Sequence, residues 1–163
     1  NTKALEAGDK LPYIVNKPFF DSFVNIGGTG ATLGLLIAIF LVARHHKAYM
    51  TVAKLSLAPG VFMINEPVMF GLPVVLNPIL FIPYVLTPLV LVSTAYFATA
   101  TGLVPACTVI APWTTPPIIG GILSTQSIAG GILAAVNLII SIVIYLPFVK
   151  MAQIQENRRL KEI

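Results

Sequence analysis

Residues 67–149 run for 83 positions without an Asp, Glu, Lys, Arg or His. A soluble domain carries about 25% charged residues, so a run of this length cannot coat a water-facing surface. Part of it must face hydrocarbon. The whole chain is 10% charged and 56% hydrophobic, a balance that also excludes a disordered tail and a disulfide scaffold. The sequence describes an integral membrane protein.

A spanning helix needs about 20 mostly apolar residues. Three segments meet that requirement: 23–43, bounded by Asp21 and Arg44; 79–104; and 128–149, which ends at Lys150. Pro83 and Pro88 predict a kink early in the second. Two further apolar stretches are broken. Residues 55–78 contain Pro59, Gly60, Pro67, Gly71, Pro73 and Pro78, and residues 105–126 contain Pro105, Pro112, Pro116, Pro117, Gly120 and Gly121. Each proline removes a backbone donor and clashes with the preceding helical turn. Irregular backbone survives at membrane depth only where protein buries it or it lines a wet cavity.

Charge placement orders these pieces. The net charge of +4 comes mainly from Arg44 and Lys47, flanking His45 and His46, and from Lys150, Arg158, Arg159 and Lys161. On a membrane protein such clusters mark the cytoplasmic side; a nucleic-acid surface is the weaker reading. If both clusters are cytoplasmic, an even number of crossings separates them, and 79–104 and 128–149 supply two. The broken stretches then form two re-entrant hairpins, one entering from each side; two extra kinked crossings are the alternative. The expected fold is all-α and polytopic, with about three full spans and two re-entrant or broken hairpins. Residues 1–22 form a lead-in, 23–149 the embedded part and 150–163 a cytoplasmic tail. Because the chain opens on Asn1 and 1–21 has no signal-peptide core, a missing N-terminal portion is expected.

Within the apolar region one acid stands alone. Glu66 is the only acidic residue between Asp21 and Glu156. A carboxylate at bilayer depth costs about 3 kcal/mol on insertion scales, so it faces a bundle interior or a cavity. Pro67 biases Glu66 away from helix, which places a carboxylate and the Asn65 amide on a turn. Such a pair can hold an array of hydroxyls by charge-assisted hydrogen bonds; a capping or interface carboxylate near the cytoplasmic surface is the simpler alternative. Asn25, Gly28, Thr29 and Gly30 open the first span, either for close helix packing or for approach of a ligand. Trp113 either stacks on a sugar face or anchors at the interface. Asn137 suits an interhelical hydrogen bond, and Lys54 serves as a charge anchor or as a partner of Glu66. Cys107 is alone, so it forms no intrachain disulfide or metal-spaced set. No hydrolase or metalloprotease motif is present, and neither a catalytic residue nor a metal or other cofactor is expected.

The stretch 65–78, Asn-Glu-Pro-Val-Met-Phe-Gly-Leu-Pro-Val-Val-Leu-Asn-Pro, resembles the membrane permease subunit, enzyme IIC, of the bacterial phosphoenolpyruvate-dependent sugar phosphotransferase system. Its lactose/cellobiose/chitobiose branch is the most similar. Residues 25–33, Asn-Ile-Gly-Gly-Thr-Gly-Ala-Thr-Leu, and 111–117, Ala-Pro-Trp-Thr-Thr-Pro-Pro, fit in the same order. The resemblance implies that this is the C-terminal, substrate-binding part of a longer permease in the bacterial cytoplasmic membrane. It implies that Glu66 matches the glutamate that hydrogen-bonds the sugar at a re-entrant tip. It further implies a β-linked disaccharide substrate, a homodimer formed through the missing part, and a cytoplasmic enzyme IIB that donates phosphate from its own cysteine, with enzyme IIA upstream. A second sugar-contacting group, a histidine in a Gly-x-His-Gly-type stretch, would lie on the missing part; neither His45 nor His46 stands in that context. A proton-coupled transporter in which Glu66 titrates, and a ligand-free structural subunit, are the rival readings.

Overall fold

The computed structural model describes residues 1–161, and among them no strand forms. In chain order the helices are α1 (Thr2–Ala7), α2 (Lys17–Phe19, running into a π-helical turn at Phe20–Val24), α3 (Thr32–Val42), α4 (Lys47–Val61), α5 (Glu66–Gly71), α6 (Pro78–Ala100), α7 (Pro117–Thr125) and α8 (Ile128–Lys161).

Two helices are long and apolar enough to cross a membrane. The 23 residues of α6 rise about 34 Å, against a hydrocarbon core of about 30 Å. The 34 residues of α8 rise about 51 Å, so its charged last turns project well beyond the bilayer as continuous helix. Pro83 and Pro88 are carried inside α6. The two spans are antiparallel. Asn137 of α8 reaches the Leu91 carbonyl of α6, while Ala95 of α6 packs with Leu133 and Ala134. Phe81, Leu89 and Phe97 on α6, and Ile132, Ile139 and Val143 on α8, are exposed, as lipid-facing side chains are.

The third expected span is not a single helix. Within residues 23–43 regular α-helix begins only at Thr32, and its 11 residues rise about 16 Å, half a bilayer. The cause is local backbone chemistry. Gly27, Gly28 and Gly30 adopt positive φ, and Ala31 joins them at 54°, a region that right-handed helix cannot use. The resulting loop, residues 25–31, lies against the spans, and side chains of α3 and α8 satisfy carbonyls in and just before it. The Tyr145 hydroxyl of α8 donates to the Gly30 carbonyl at 2.6 Å, Thr32 Oγ1 donates to the Gly27 carbonyl at 2.7 Å, and Asn137 Nδ2 donates to the Phe23 carbonyl at 2.8 Å. Asn137 thus makes the inter-segment bond its sequence setting suggested.

Both broken stretches turn back. α4 enters, a turn at 62–65 reverses the chain, and α5 returns alongside α4, with Gly71 against Val52. The start of α4 and the segment after α5 line one crevice of about 370 Å³ together with Gln155, Glu156 and Arg159 of α8. The first hairpin therefore begins and ends at the end of the bundle where α8 finishes, and both basic clusters lie there. The second hairpin starts and ends at the opposite end, where α6 stops and α8 begins. An irregular stretch of backbone runs inward from residue 103, and the nine residues of α7 return, packed on α8 through Gly121 and Gly130. Ser22 ties this hairpin to the π-helical turn, bonding Ser124 Oγ at 2.8 Å and donating to the Gly120 carbonyl at 3.3 Å. The core has two parts. One joins α3, α4 and the middle of α8 through Leu35, Ile39, Ala53, Tyr145 and Val149; the other gathers Phe19, Phe23, Ala95, Cys107 and Leu133.

Candidate functional site

The tips of the two hairpins meet at the glycine loop. There an open cleft of about 230 Å³ is lined by Asp21, Asn25, Gly28, Thr29, Met63, Asn65, Glu66 and Trp113. Four separate pieces of chain supply these residues: the π-helical turn, the loop, the α4–α5 turn and the irregular segment before α7. The first two are contiguous, but the other two come from the separate hairpins, so the cleft exists only because both hairpins penetrate from opposite ends.

Six of the seven residues expected at the site line this cleft. Gly30 does not. It is buried behind the loop, and a Cβ there would enter the Tyr84 ring; its part is to let α6 pack against the loop. Gly28 does face the cleft, and a Cβ on it would lie 2.6 Å from Asn65 Cγ. Only glycine lets the hairpin tip seat so closely. Asn65 exploits that approach: its Nδ2 donates to the Thr29 carbonyl at 2.9 Å and to Thr29 Oγ1 at 3.2 Å. Its side-chain oxygen stays available to a ligand.

Glu66 stands at the first position of α5, exposed to the cleft. Among the described residues the one ion pair is Lys17 with Asp21. Lys54 therefore does not pair with Glu66, and the carboxylate is unspent. Met63, which turns the chain with φ of 67°, accepts from the Gly27 amide through its sulfur at 3.3 Å and so locks the tip to the loop. Trp113 sits on a turn closed by the Thr115 amide and the Pro112 carbonyl at 2.9 Å, with its indole 61% exposed.

Asp21 and Met63 were not singled out from the sequence. Asp21 reads there as the charged boundary of a span, and its counter-charge Lys17 four residues earlier was the available signal of a helical turn. The histidines take other places. Nδ1 of His46 caps α4 by accepting from the Tyr49 amide at 3.4 Å, and His45 accepts from Arg44 at 3.2 Å.

The cleft presents two carboxylates, two amides, a hydroxyl and one indole face, with no cluster of metal-ligating side chains among the described residues. A sequence model of the family described as "Phosphotransferase system, EIIC" matches residues 1–88. The chain belongs to this EIIC family. Its similarity to individual members extends further than the matched half. It is 45% identical over 164 residues to the lichenan permease IIC component of Bacillus subtilis (strain 168), covering 99% of this chain and 35% of that one. It is 47% identical over 142 residues to the cellobiose-specific EIIC component of Lactococcus lactis subsp. lactis (strain IL1403), covering 86% and 28%. Its fold matches the crystal structure of the transporter ChbC, the IIC component from the N,N'-diacetylchitobiose-specific phosphotransferase system. That match has a TM-score of 0.91 at 41% identity and covers 99% of this chain and 38% of ChbC. The chain spans about a third of the length of the curated relatives it matches. The EIIC fold thus accounts for both hairpins and for the loop between them.

Proposed function

We propose that this chain is the C-terminal, sugar-holding portion of a phosphotransferase permease. The permease takes up a β-linked disaccharide of the cellobiose, lactose or chitobiose type and presents a hydroxyl to phosphorylated enzyme IIB. One observation carries this reading: two re-entrant tips and a glycine loop converge on a cleft whose free groups are those that bind sugars. Glu66 accepts from sugar hydroxyls, with Asn65 and Asn25 beside it. Trp113 stacks on a pyranose face, and Gly28 lets the tip close against Thr29. Gly30 supports the loop from behind. The cleft volume falls below the roughly 300–1,000 Å³ usual for small-molecule pockets, which fits a site completed by the upstream part of the permease, including its histidine. The same part supplies the homodimer contacts, and the exposed faces of α6 and α8 meet membrane lipid.

The basic end of the bundle, with Arg44, Lys47, Arg158, Arg159 and Lys161, faces the cytoplasm in this reading. Labelling tests that orientation. In the full-length permease made otherwise cysteine-free, Asn65→Cys is expected to react with a membrane-impermeant maleimide applied from the cytoplasmic side of inverted vesicles. Reaction from the outer face alone would reverse the assignment.

Trp113 gives a second test. Stacking of an aromatic ring on a ligand face contributes about 1 kcal/mol beyond simple burial, so Trp113→Ala should raise the disaccharide Kd about fivefold to tenfold. Trp113→Phe should recover most of that. Titration calorimetry on the purified permease measures both, and an unchanged Kd in the alanine variant would return the indole to an interface anchor.

A further inference from the structure

The cleft also specifies which way its hydrogen bonds must point. A threonine hydroxyl has one proton to donate and two lone pairs to accept with. Thr29 Oγ1 lies 3.0 Å from the Tyr84 hydroxyl and 3.2 Å from Asn65 Nδ2. The amide nitrogen can only donate. Between the two hydroxyls the phenol is the more acidic and so the better donor, and the alkyl hydroxyl the better acceptor. Both lone pairs of Thr29 are then occupied, and among the described residues its proton has no acceptor, while Thr29 itself lines the cleft.

From this accounting we infer that Tyr84, although outside the cleft, is a positioning residue for substrate recognition: it fixes Thr29 as a hydrogen-bond donor aimed at the ligand. The inference rests on the sugar-binding reading above and adds to it a polarity. One wall carries a directed O–H donor and the facing tip carries the Glu66 carboxylate, which only accepts. The sugar must accept at Thr29, through a hydroxyl, ether or acetamido oxygen, and donate at Glu66. Tyr84 is well placed for this task. Its ring fills the space left by Gly30 and stacks on Phe81 with centroids 6.3 Å apart and planes at 24°, so its hydroxyl has a fixed position relative to the loop.

The test is a double-mutant cycle in the full-length permease, with cellobiose and its monodeoxy analogues as probes and Kd from calorimetry. Tyr84→Phe keeps the ring and its packing and removes only the hydroxyl. It should weaken cellobiose binding about threefold to tenfold. Thr29→Val should do at least as much, and Tyr84→Phe should then add nothing in the Thr29→Val background, because its effect passes through Thr29. Thr29→Ser should retain the dependence on Tyr84. One monodeoxy analogue, lacking the oxygen that meets Thr29, should bind the wild type and Tyr84→Phe equally. Binding unchanged in Tyr84→Phe, or losses that multiply in the double variant, would overturn the inference while leaving the sugar site standing. Failure of the wild type to bind cellobiose, lactose or chitobiose would overturn the sugar-binding reading and this inference with it.

Discussion

Glu66→Gln in the full-length permease is expected to raise the disaccharide Kd by roughly 10- to 150-fold. The substitution is nearly isosteric and leaves the α4–α5 turn intact, since the carboxylate bonds nothing within the described protein and its only established partners are cleft and solvent. What changes is the acceptor. A carboxylate offers two charged oxygens to sugar hydroxyls, whereas the amide offers one neutral oxygen and a donor pointing where a donor is not wanted. Hydrogen bonds to a charged partner contribute about 1.5–3 kcal/mol, which converts to the stated range. Uptake coupled to phosphorylation should fall in step, and protein abundance and thermal stability should stay near wild type. Unchanged binding and transport would sink the sugar-holding role. If instead binding and exchange survive and only gradient-driven accumulation is lost, Glu66 is a proton carrier and the permease a secondary transporter. Glu66→Asp separates charge from reach: it keeps the charge but withdraws it by one methylene, so an intermediate loss is expected.

The two continuous spans and both hairpins were legible because they are written in composition: apolar length for α6 and α8, and proline with glycine for the breaks. The first span misled for the same reason. Hydropathy sums over residues 23–43 register apolar side chains, and glycine scores as mildly apolar whatever its φ. The decision to leave the helix is made by the backbone at Gly27, Gly28 and Gly30. It is affordable only because Tyr145 and Asn137, more than a hundred residues later, bond the freed carbonyls. No local pattern encodes that compensation.

The site divides along similar lines. Glu66 was visible through scarcity, as the lone acid of an apolar stretch, and Asn65 and Trp113 through their positions in broken segments. Asp21 was hidden because its charge served equally well as the edge of a span. Tyr84 was hidden because a tyrosine early in an apolar helix looks like any interfacial aromatic, and only the distance to Thr29 Oγ1 shows that it orders a cleft residue. Residues of unusual type or setting leave a trace in sequence; those that orient them need coordinates.

The second hairpin depends on a backbone contact that a single methyl group should break. Where α7 crosses the start of α8, a Cβ on Gly121 would lie 2.5 Å from the Gly130 carbonyl oxygen and 2.9 Å from its carbon. Neither atom is the free end of a side chain, so relief requires the helices to separate. Without a hydrophobic drive between helices in lipid, close packing at small residues is what holds such a pair together. Gly121→Ala should therefore cost about 1–3 kcal/mol, the scale of overpacking in a tight interface, and Gly121→Val more, with loss of folded permease. Gly120 supplies the internal control. Its Cβ would meet nothing nearer than 3.8 Å, and alanine is the better helix former by up to about 1 kcal/mol, so Gly120→Ala should be neutral or mildly stabilising. Thermal unfolding of the detergent-solubilised full-length protein, followed by size-exclusion monodispersity, distinguishes the pair. Equal melting temperatures for the two alanine variants would show that α7 and α8 are not packed as described. The consequence extends to the cleft, because α7 anchors the segment that carries Trp113. Any folded Gly121→Ala permease should bind its disaccharide more weakly although the substituted residue lies outside the site, and Gly120→Ala should bind it as the wild type does.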